Sequence, residues 1–164
     1  MSNSKPIGVA YEDQNIIGAD VLYADQEIGY TAAAQGTVTQ ATSKSTGVTL
    51  NKSAGQITMN NAALAATTNV AFTLTNSLIS AKDVVIVNVA GGTASNDTYN
   101  CWVSGHGAGT CTIVLRNISG GSLSEAVVLN FAVIHCTSYG PQRRVTVSWT
   151  GREATCLERR WAHR

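Results

Sequence analysis

The feature that most constrains the fold of this chain is a period-two alternation of apolar and polar residues between residues 36 and 134. In VAFTLT, residues 70–75, the large apolar side chains occupy every second position, and GVTLN, QITMN and AVVLNFAVI repeat the pattern. Strict alternation is typical of a strand with one face in a core and one in solvent. Together with YNCWV, CTIVLRN and DVVIVNVA, these runs predict seven strands, or eight if TVTQ is counted.

The run DVVIVNVA, residues 83–90, differs from the others because it is apolar on both faces. A short continuous apolar run is typical of a strand that is covered on both sides. We therefore expect this strand to lie between two layers.

The segments between these runs have the composition of tight turns. STG, KSAG, AGGTASND, GHGAG and SGGS each supply Gly, Ser, Asn or Asp where a β-chain reverses. Closely spaced short strands with hardly any helical periodicity predict an all-β fold, a jelly-roll-like antiparallel β-sandwich over residues 36–139. NNAALAA is predicted to be one helical turn or a loop, and Ser122 and Glu125 are predicted to form a capping box for a single turn before the last strand.

Charge is distributed unevenly along the chain. Only 13% of residues are charged and the formal net charge is +1, which argues against a protein that neutralises many nucleic-acid phosphates. Residues 1–35 hold five acids and one lysine, and residues 140–164 hold six arginines and two glutamates. These stretches are interpreted as an acidic N-terminal arm and a basic C-terminal arm.

The central block combines a hydroxyl-rich surface with very little charge. Soluble monomers usually place charges on strand edges and exposed faces to prevent association. The near absence of such charges favours a protein that packs against other protein, and we hypothesise an obligate assembly partner.

The sequence contains no window of about 18 apolar residues, so a membrane span is not predicted. The N-terminus lacks the pattern of a secretion signal, and the four cysteines fit synthesis in a reducing compartment.

Four segments carry a resemblance to a known group of proteins. GTVTQATSKSTGVTLNKSAGQITMNNAALAA, VAFTLTNS, DVVIVNV and IVLRNISGGSLSEAVVLNFAVI resemble short β-rich structural proteins of tailed-bacteriophage virions over residues 36–134. The resemblance implies a structural part without chemistry, of the head decoration or cement type. Such a protein sits on the outer capsid surface after assembly in the bacterial cytoplasm. The implied partners are the major capsid protein and further copies in a trimer or dimer, with no nucleic acid, membrane or cofactor. The alternative is a tail-fibre or receptor-binding, adhesive domain.

The N-terminal arm contains IIGADVLYADQEIGY, which mixes large apolar side chains with acids. One interpretation is a disordered leader. The favoured one is a segment that becomes ordered against a partner or the domain's own sheet, because so much apolar surface is costly to leave in water. Ile16, Ile17, Tyr23 and Tyr30 are its candidate contacts with the capsid or another subunit.

The C-terminal arm departs from the family pattern after Ile134. It is either a neutral extension, such as one from a shifted reading frame, or an arm that adds the alternating strand RVTVSWTG and then lies over a neighbour. Arginine suits acidic partners and tryptophan suits apolar anchoring. The candidate contact residues of this arm are Arg143, Arg144, Trp149, Arg159, Arg160 and Trp161.

The residues that could carry chemistry form no complete site. Cys101, His106 and Cys111 lack the fourth ligand of a zinc knuckle, so no metal is predicted. They are interpreted as a hairpin centred on His106, with the two cysteines opposite each other as core thiols or as a pair that oxidises outside the cell. No histidine has a nucleophile motif, so an enzyme is not predicted. Tyr99 and Trp102 are the aromatic candidates for sugar recognition, with one of the two expected in the core.

Overall fold

Eight β-strands form two four-stranded sheets in a computed structural model that describes residues 27–136. The first sheet, called sheet I, has the order β1 (Gln35–Thr39), β3 (Ala54–Thr58), β8 (Val128–Ile134) and β5 (Val84–Gly91). The second, sheet II, has the order β2 (Val48–Thr49), β4 (Asn69–Thr75), β7 (Thr110–Asn117) and β6 (Tyr99–Gly107). A single 3-10 turn, Ala32–Ala34, precedes β1. The prediction of an all-β sandwich is confirmed.

Strand direction is mixed, which differs from the predicted antiparallel arrangement. The chain changes sheet after each of the first five strands, so β1 and β3 pair in parallel in sheet I while β2 and β4 pair in parallel in sheet II. When the chain crosses to the other sheet and back, its next strand in the first sheet can run in the original direction. A tight hairpin, in contrast, joins two antiparallel strands. The remaining pairs are antiparallel. The jelly-roll-like connection stays a prediction.

The core lies between the two sheets and follows the period-two pattern of the sequence. In sheet II, Phe72 on β4 pairs with Ile113 on β7, and in sheet I, Ile57 on β3 pairs with Leu129 on β8. All four side chains belong to one continuous buried cluster. Alternation puts the intervening residues of these strands on the outer faces of the sheets.

The segments with ambiguous or turn-like patterns are loops. Leu64, in NNAALAA, pairs with Leu123 through an isolated bridge, and no α-helix occurs within residues 27–136. The predicted capping box is therefore wrong. One oxygen of Glu125 instead accepts a hydrogen bond from the backbone N–H of Ala94 at 2.6 Å, because this carboxylate closes the loop between β5 and β6 rather than a helical turn.

The sandwich has two distinct ends. At the first, called the terminal end, β1 begins and β8 finishes, so the residues before 27 and after 136 connect to the sandwich there. The hairpin between β6 and β7 also lies at this end, where Asn76 donates its N–H to the carbonyl of Gly109. The opposite end, called the distal end, carries the loops after β1, β3, β5 and β7. Gly92, with φ +71°, is required there because an added Cβ would lie 2.1 Å from the carbonyl oxygen of Ala126.

Candidate interaction surface

Exposed large apolar side chains are concentrated at the terminal end of the sandwich. Seven large hydrophobic residues in the described part of the chain are exposed. Six of them lie at or beside the terminal end: Ile28, Tyr30, Leu78, Val84, Ile86 and Ile134. Only Ile118 lies at the distal end. Scattered exposed apolar residues are normal in soluble proteins, whereas this clustering marks one end as different from the other.

The centre of this cluster is the outer face of sheet I at its β5 edge. Val84 is directly opposite Ile134 in the ladder, and Ile86 is opposite Ala132. Val84 is 48% exposed, and Ile86 and Ile134 are each 50% exposed. We call these four residues the β5 patch.

The β5 patch corrects the expectation that DVVIVNVA is covered on both sides. Val85, Val87 and Val89 face inward and pack against the core. Val84 and Ile86 face outward, and no other layer of the described residues covers them. The sandwich therefore buries one apolar face of this strand and leaves the other face exposed.

Beyond the β5 patch the outer face of sheet I becomes polar. The next row toward the distal end consists of Asn88, Asn130, Gln56 and Thr37, read across β5, β8, β3 and β1. The side-chain amide of Gln56 donates to Oδ1 of Asn130 at 3.1 Å. An open depression of about 490 Å³ lies over the β1, β3 and β8 part of this face. Its lining residues include no acid, histidine or cysteine.

Tyr30 is the one predicted contact residue that the structure describes. Its hydroxyl donates to the carbonyl of Val133, next to Ile134. Gln35 donates its side-chain amide to the carbonyl of Tyr30 at 2.9 Å, and Lys52 donates to the carbonyl of Ala33 at 2.8 Å. These bonds hold the segment before β1 against the terminal end. The other predicted contact residues lie outside the described residues: Ile16, Ile17, Tyr23, Arg143, Arg144, Trp149, Arg159, Arg160 and Trp161.

A buried carboxylate fixes the exit of β8 at the same end. Asp83 accepts hydrogen bonds from the N–H of Ser80 at 2.9 Å, the hydroxyl of Ser80 at 2.7 Å and the N–H of Cys136 at 3.0 Å, and its Oδ2 lies 2.8 Å from Nδ1 of His135. The bonds from Ser80, followed by those from Cys136 and His135, hold the pKa of Asp83 far below its usual value. Sequence reasoning missed this role, although an acid beside an apolar strand was a usable signal.

The distal end contains a buried polar network around Lys44. Its ammonium group donates to the carbonyl oxygen of Asn60 at 2.5 Å and to that of Glu125. Gln40 donates to the carbonyls of Lys44 and Thr46 at 3.0 and 2.8 Å and accepts from the N–H of Asn60 at 3.0 Å. Burial lowers the pKa of Lys44, while the Glu125 carboxylate acts in the opposite direction. This network joins three loops of the distal end.

Tyr99 and Glu125 lie beside that network. The Tyr99 side chain belongs to the core, and its hydroxyl and Oε2 of Glu125 are buried without a hydrogen-bond partner. Burial, followed by the nearby Glu125 carboxylate, raises the pKa of Tyr99 to about 12. Tyr99 is the buried member of the aromatic pair, as expected.

The hairpin between β6 and β7 differs from its predicted form. Its turn is at Ala108 and Gly109, where Gly109 has φ +78°, and His106 lies within β6 opposite Cys111. Cys101 is opposite Leu115, so the two cysteines do not face each other and the predicted symmetry is wrong. The physical reason is the position of the turn, which lies at Ala108 and Gly109 rather than on His106; the irregularity between Val103 and Gly105 changes the partner of Cys101 by only one residue. Both thiols are free, and burial raises the pKa of Cys111 to about 11.

The described residues give no sign of a metal centre or a membrane-spanning helix. Within residues 27–136 no three His, Cys, Asp or Glu side chains are grouped as metal ligands would be. Over the same residues no helix has the length and apolar character needed to cross a membrane. Comparison with known proteins finds no family model, no curated protein and no solved structure that matches this chain.

Proposed function

We propose that this protein is a structural component of a tailed-bacteriophage virion. In this proposal it decorates the outer capsid surface and stabilises the expanded head by bridging capsomers. Its partners are the major capsid protein and other copies of itself, in a trimer or dimer. It acts by burying surface, without a catalytic step.

The observation that carries the proposal is the coincidence of the β5 patch with the terminal end. A β-strand whose two faces are both apolar is normally covered on both faces, and β5 is covered on one. The chain segments outside the described residues, with their opposite net charges, connect to the sandwich at that same end. An assembly contact there would cover the exposed valine and isoleucines and bring the arms close to the neighbouring protein.

The surface chemistry supports protein packing over nucleic-acid binding. Residues 27–136 hold four basic side chains (Lys44, Lys52, Lys82 and Arg116) and four acidic ones (Glu27, Asp83, Asp97 and Glu125), so they carry no formal net charge. Nucleic-acid binding needs a concentration of positive charge. Hydroxyl-rich, charge-poor strand faces suit a contact with other protein.

The β5 patch provides a direct test by substitution. Ile86→Asn replaces an apolar side chain at the centre of the patch. The matched control is Ile118→Asn, since Ile118 is 46% exposed against 50% for Ile86; because Ile86 lies in a strand and Ile118 in a loop, the urea midpoint of each variant is measured first to confirm that both are folded. Ile86 is already half-buried in the free sandwich, so covering the rest contributes about half of the 1.5–3 kcal/mol of a fully buried isoleucine, and an asparagine amide buried there without a partner costs about 1–3 kcal/mol more. We expect at least a tenfold weaker binding for Ile86→Asn.

The assay adds each purified variant to phage particles that lack this protein and measures the bound copies per particle. Ile118→Asn should bind like the natural chain, and Ile86→Asn should leave sites empty at the same concentration. Equal binding by both variants would show that the β5 patch is not the contact. Separately, mass spectrometry of complete particles should give a simple ratio of this chain to the major capsid protein.

A second candidate function is a tail-fibre or adhesive domain, favoured by the outward position of Trp102 on sheet II. This role predicts a few copies to a few dozen per particle. The copy-number measurement therefore distinguishes the two functions.

A further inference from the structure

One buried apolar residue of the sandwich does not belong to its core. Val114 is only 7% exposed, yet it is absent from the buried cluster that contains its neighbours Ile113 and Leu115. Alternation along β7 explains the difference, because Ile113 and Leu115 face inward and Val114 faces outward. Something on the outer face of sheet II must cover it.

The backbone pairing points to Trp102 as the residue that covers Val114. In the ladder of sheet II, Val114 lies between Trp102 on β6 and Ala71 on β4. Directly opposite residues on one face have Cβ atoms about 5 Å apart, and Ala71 is too small to cover a valine. Trp102 is itself partly exposed. Trp102 is thus a partly exposed aromatic residue beside a buried valine on the outer face of sheet II.

Polar side chains border this aromatic surface on both sides. The row toward the distal end consists of Asn100, Arg116 and Asn69, and all three are exposed. The row toward the terminal end contains Thr112 and Thr73. Amides, hydroxyls and one guanidinium thus neighbour Trp102 on this face of the sheet.

We propose that the outer face of sheet II binds a neutral carbohydrate, with Trp102 as the stacking platform. The C–H face of a pyranose is apolar and packs on an aromatic ring, while its hydroxyls need donors and acceptors at the rim. Asn100, Arg116 and Asn69 supply such groups. The face carries a single charge, Arg116, so it does not select for phosphate or sulfate. This site is on the opposite sheet from the β5 patch and does not depend on the proposed assembly role.

The proposal is tested with the full-length chain in solution. The probes are cellohexaose, maltohexaose and chitohexaose, which differ in linkage and in the acetamido group. Saturation-transfer NMR detects weak binding and also identifies the sugar protons that lie against the protein. We expect at least one probe to bind, with the strongest transfer to ring C–H protons on one face.

Four variants locate the site. Trp102→Ala should weaken binding at least tenfold, and Trp102→Phe should retain part of it because a ring face remains. Asn100→Ala, at an exposed position, should weaken binding several-fold without a change in the urea midpoint of unfolding, which separates loss of contact from loss of fold. Ile86→Asn, on the other sheet, should bind like the natural chain. Failure of all three probes, or unchanged binding by Trp102→Ala, would overturn the proposal and leave the assembly role untouched.

Discussion

Replacing Lys44 with methionine should destabilise the sandwich strongly, because this ammonium group is the centre of the distal network. Lys44 is 3% exposed and donates to two backbone carbonyls, those of Asn60 and Glu125. Methionine keeps an unbranched side chain that is one atom shorter, and it cannot donate a hydrogen bond. The change would leave two carbonyls without their donor and the Glu125 carboxylate without its nearby positive charge.

The magnitude follows from the count of these lost interactions. A hydrogen bond to a charged group contributes about 1.5–3 kcal/mol, and breaking a buried charged contact by removing one partner costs about 3–5 kcal/mol. Part of this cost is offset because methionine needs no desolvation. We expect a net loss of about 3 kcal/mol in the free energy of unfolding. For a domain of this size, that lowers the thermal midpoint by more than about 10 °C.

The matched control is Lys52→Met. Lys52 is partly exposed and donates to one carbonyl, that of Ala33, at the terminal end. Exposed charged contacts contribute about 0–1 kcal/mol, so its loss should be below about 1 kcal/mol. Urea unfolding of both variants, followed by far-ultraviolet circular dichroism, measures the two values on one scale. Equal destabilisation by the two substitutions would refute the argument that the buried network stabilises the distal end.

Two further predictions concern pH. Because its hydrogen bonds hold the pKa of Asp83 below the usual 3.8, the stability that it contributes is complete above pH 4 and is lost as the pH falls toward the folded-state pKa. Asp83→Asn should therefore be less stable at pH 7 and show a flatter dependence of the urea midpoint below pH 4; an unchanged slope would contradict this role. Tyr99 has the opposite sign, because a pKa raised from 10.0 to about 12 gives stability that is complete below pH 10 and is lost as the pH rises through 12. Tyr99→Phe should be as stable as the natural chain or more stable at pH 7, since it removes a hydroxyl that is buried without a hydrogen-bond partner, and it should reduce the loss of stability between pH 10 and 12. If both proteins lost stability equally over that range, another group would be responsible.

The strands and their inward faces could be predicted from the sequence because both depend on local alternation. Phe72, Ile113 and Leu129 lie in the core as the pattern indicates. The candidate interaction surface was harder to predict from the sequence. The pattern DVVIVNVA identified a strand with two apolar faces, but the exposure of Val84 and Ile86 depends on which elements pack over β5. Packing partners are not encoded in a strand's own period.

Register and sheet membership were also beyond the reach of local patterns. The spacing of Cys101 and Cys111 around a glycine-rich turn favoured opposed cysteines, but the turn lies at Ala108 and Gly109, which places His106 opposite Cys111. The parallel pairing of β1 with β3 depends on the crossing of β2 to the other sheet. Likewise, the burial of Val114 on the outer face of sheet II depends on its neighbours in the ladder, Trp102 and Ala71, and not on the period of β7 alone.

The sequence by itself thus determined that the chain forms short alternating strands with a charge-poor, hydroxyl-rich surface, because side-chain period and turn chemistry act over a few residues. The tertiary structure alone decided which apolar strand faces are buried by other parts of the chain. Burial depends on contacts between residues far apart in the chain, such as Val84 with Ile134 or Trp102 with Val114. Those pairings place the β5 patch beside the start of β1 and the end of β8, and they place Trp102 beside Val114 on the outer face of the opposite sheet.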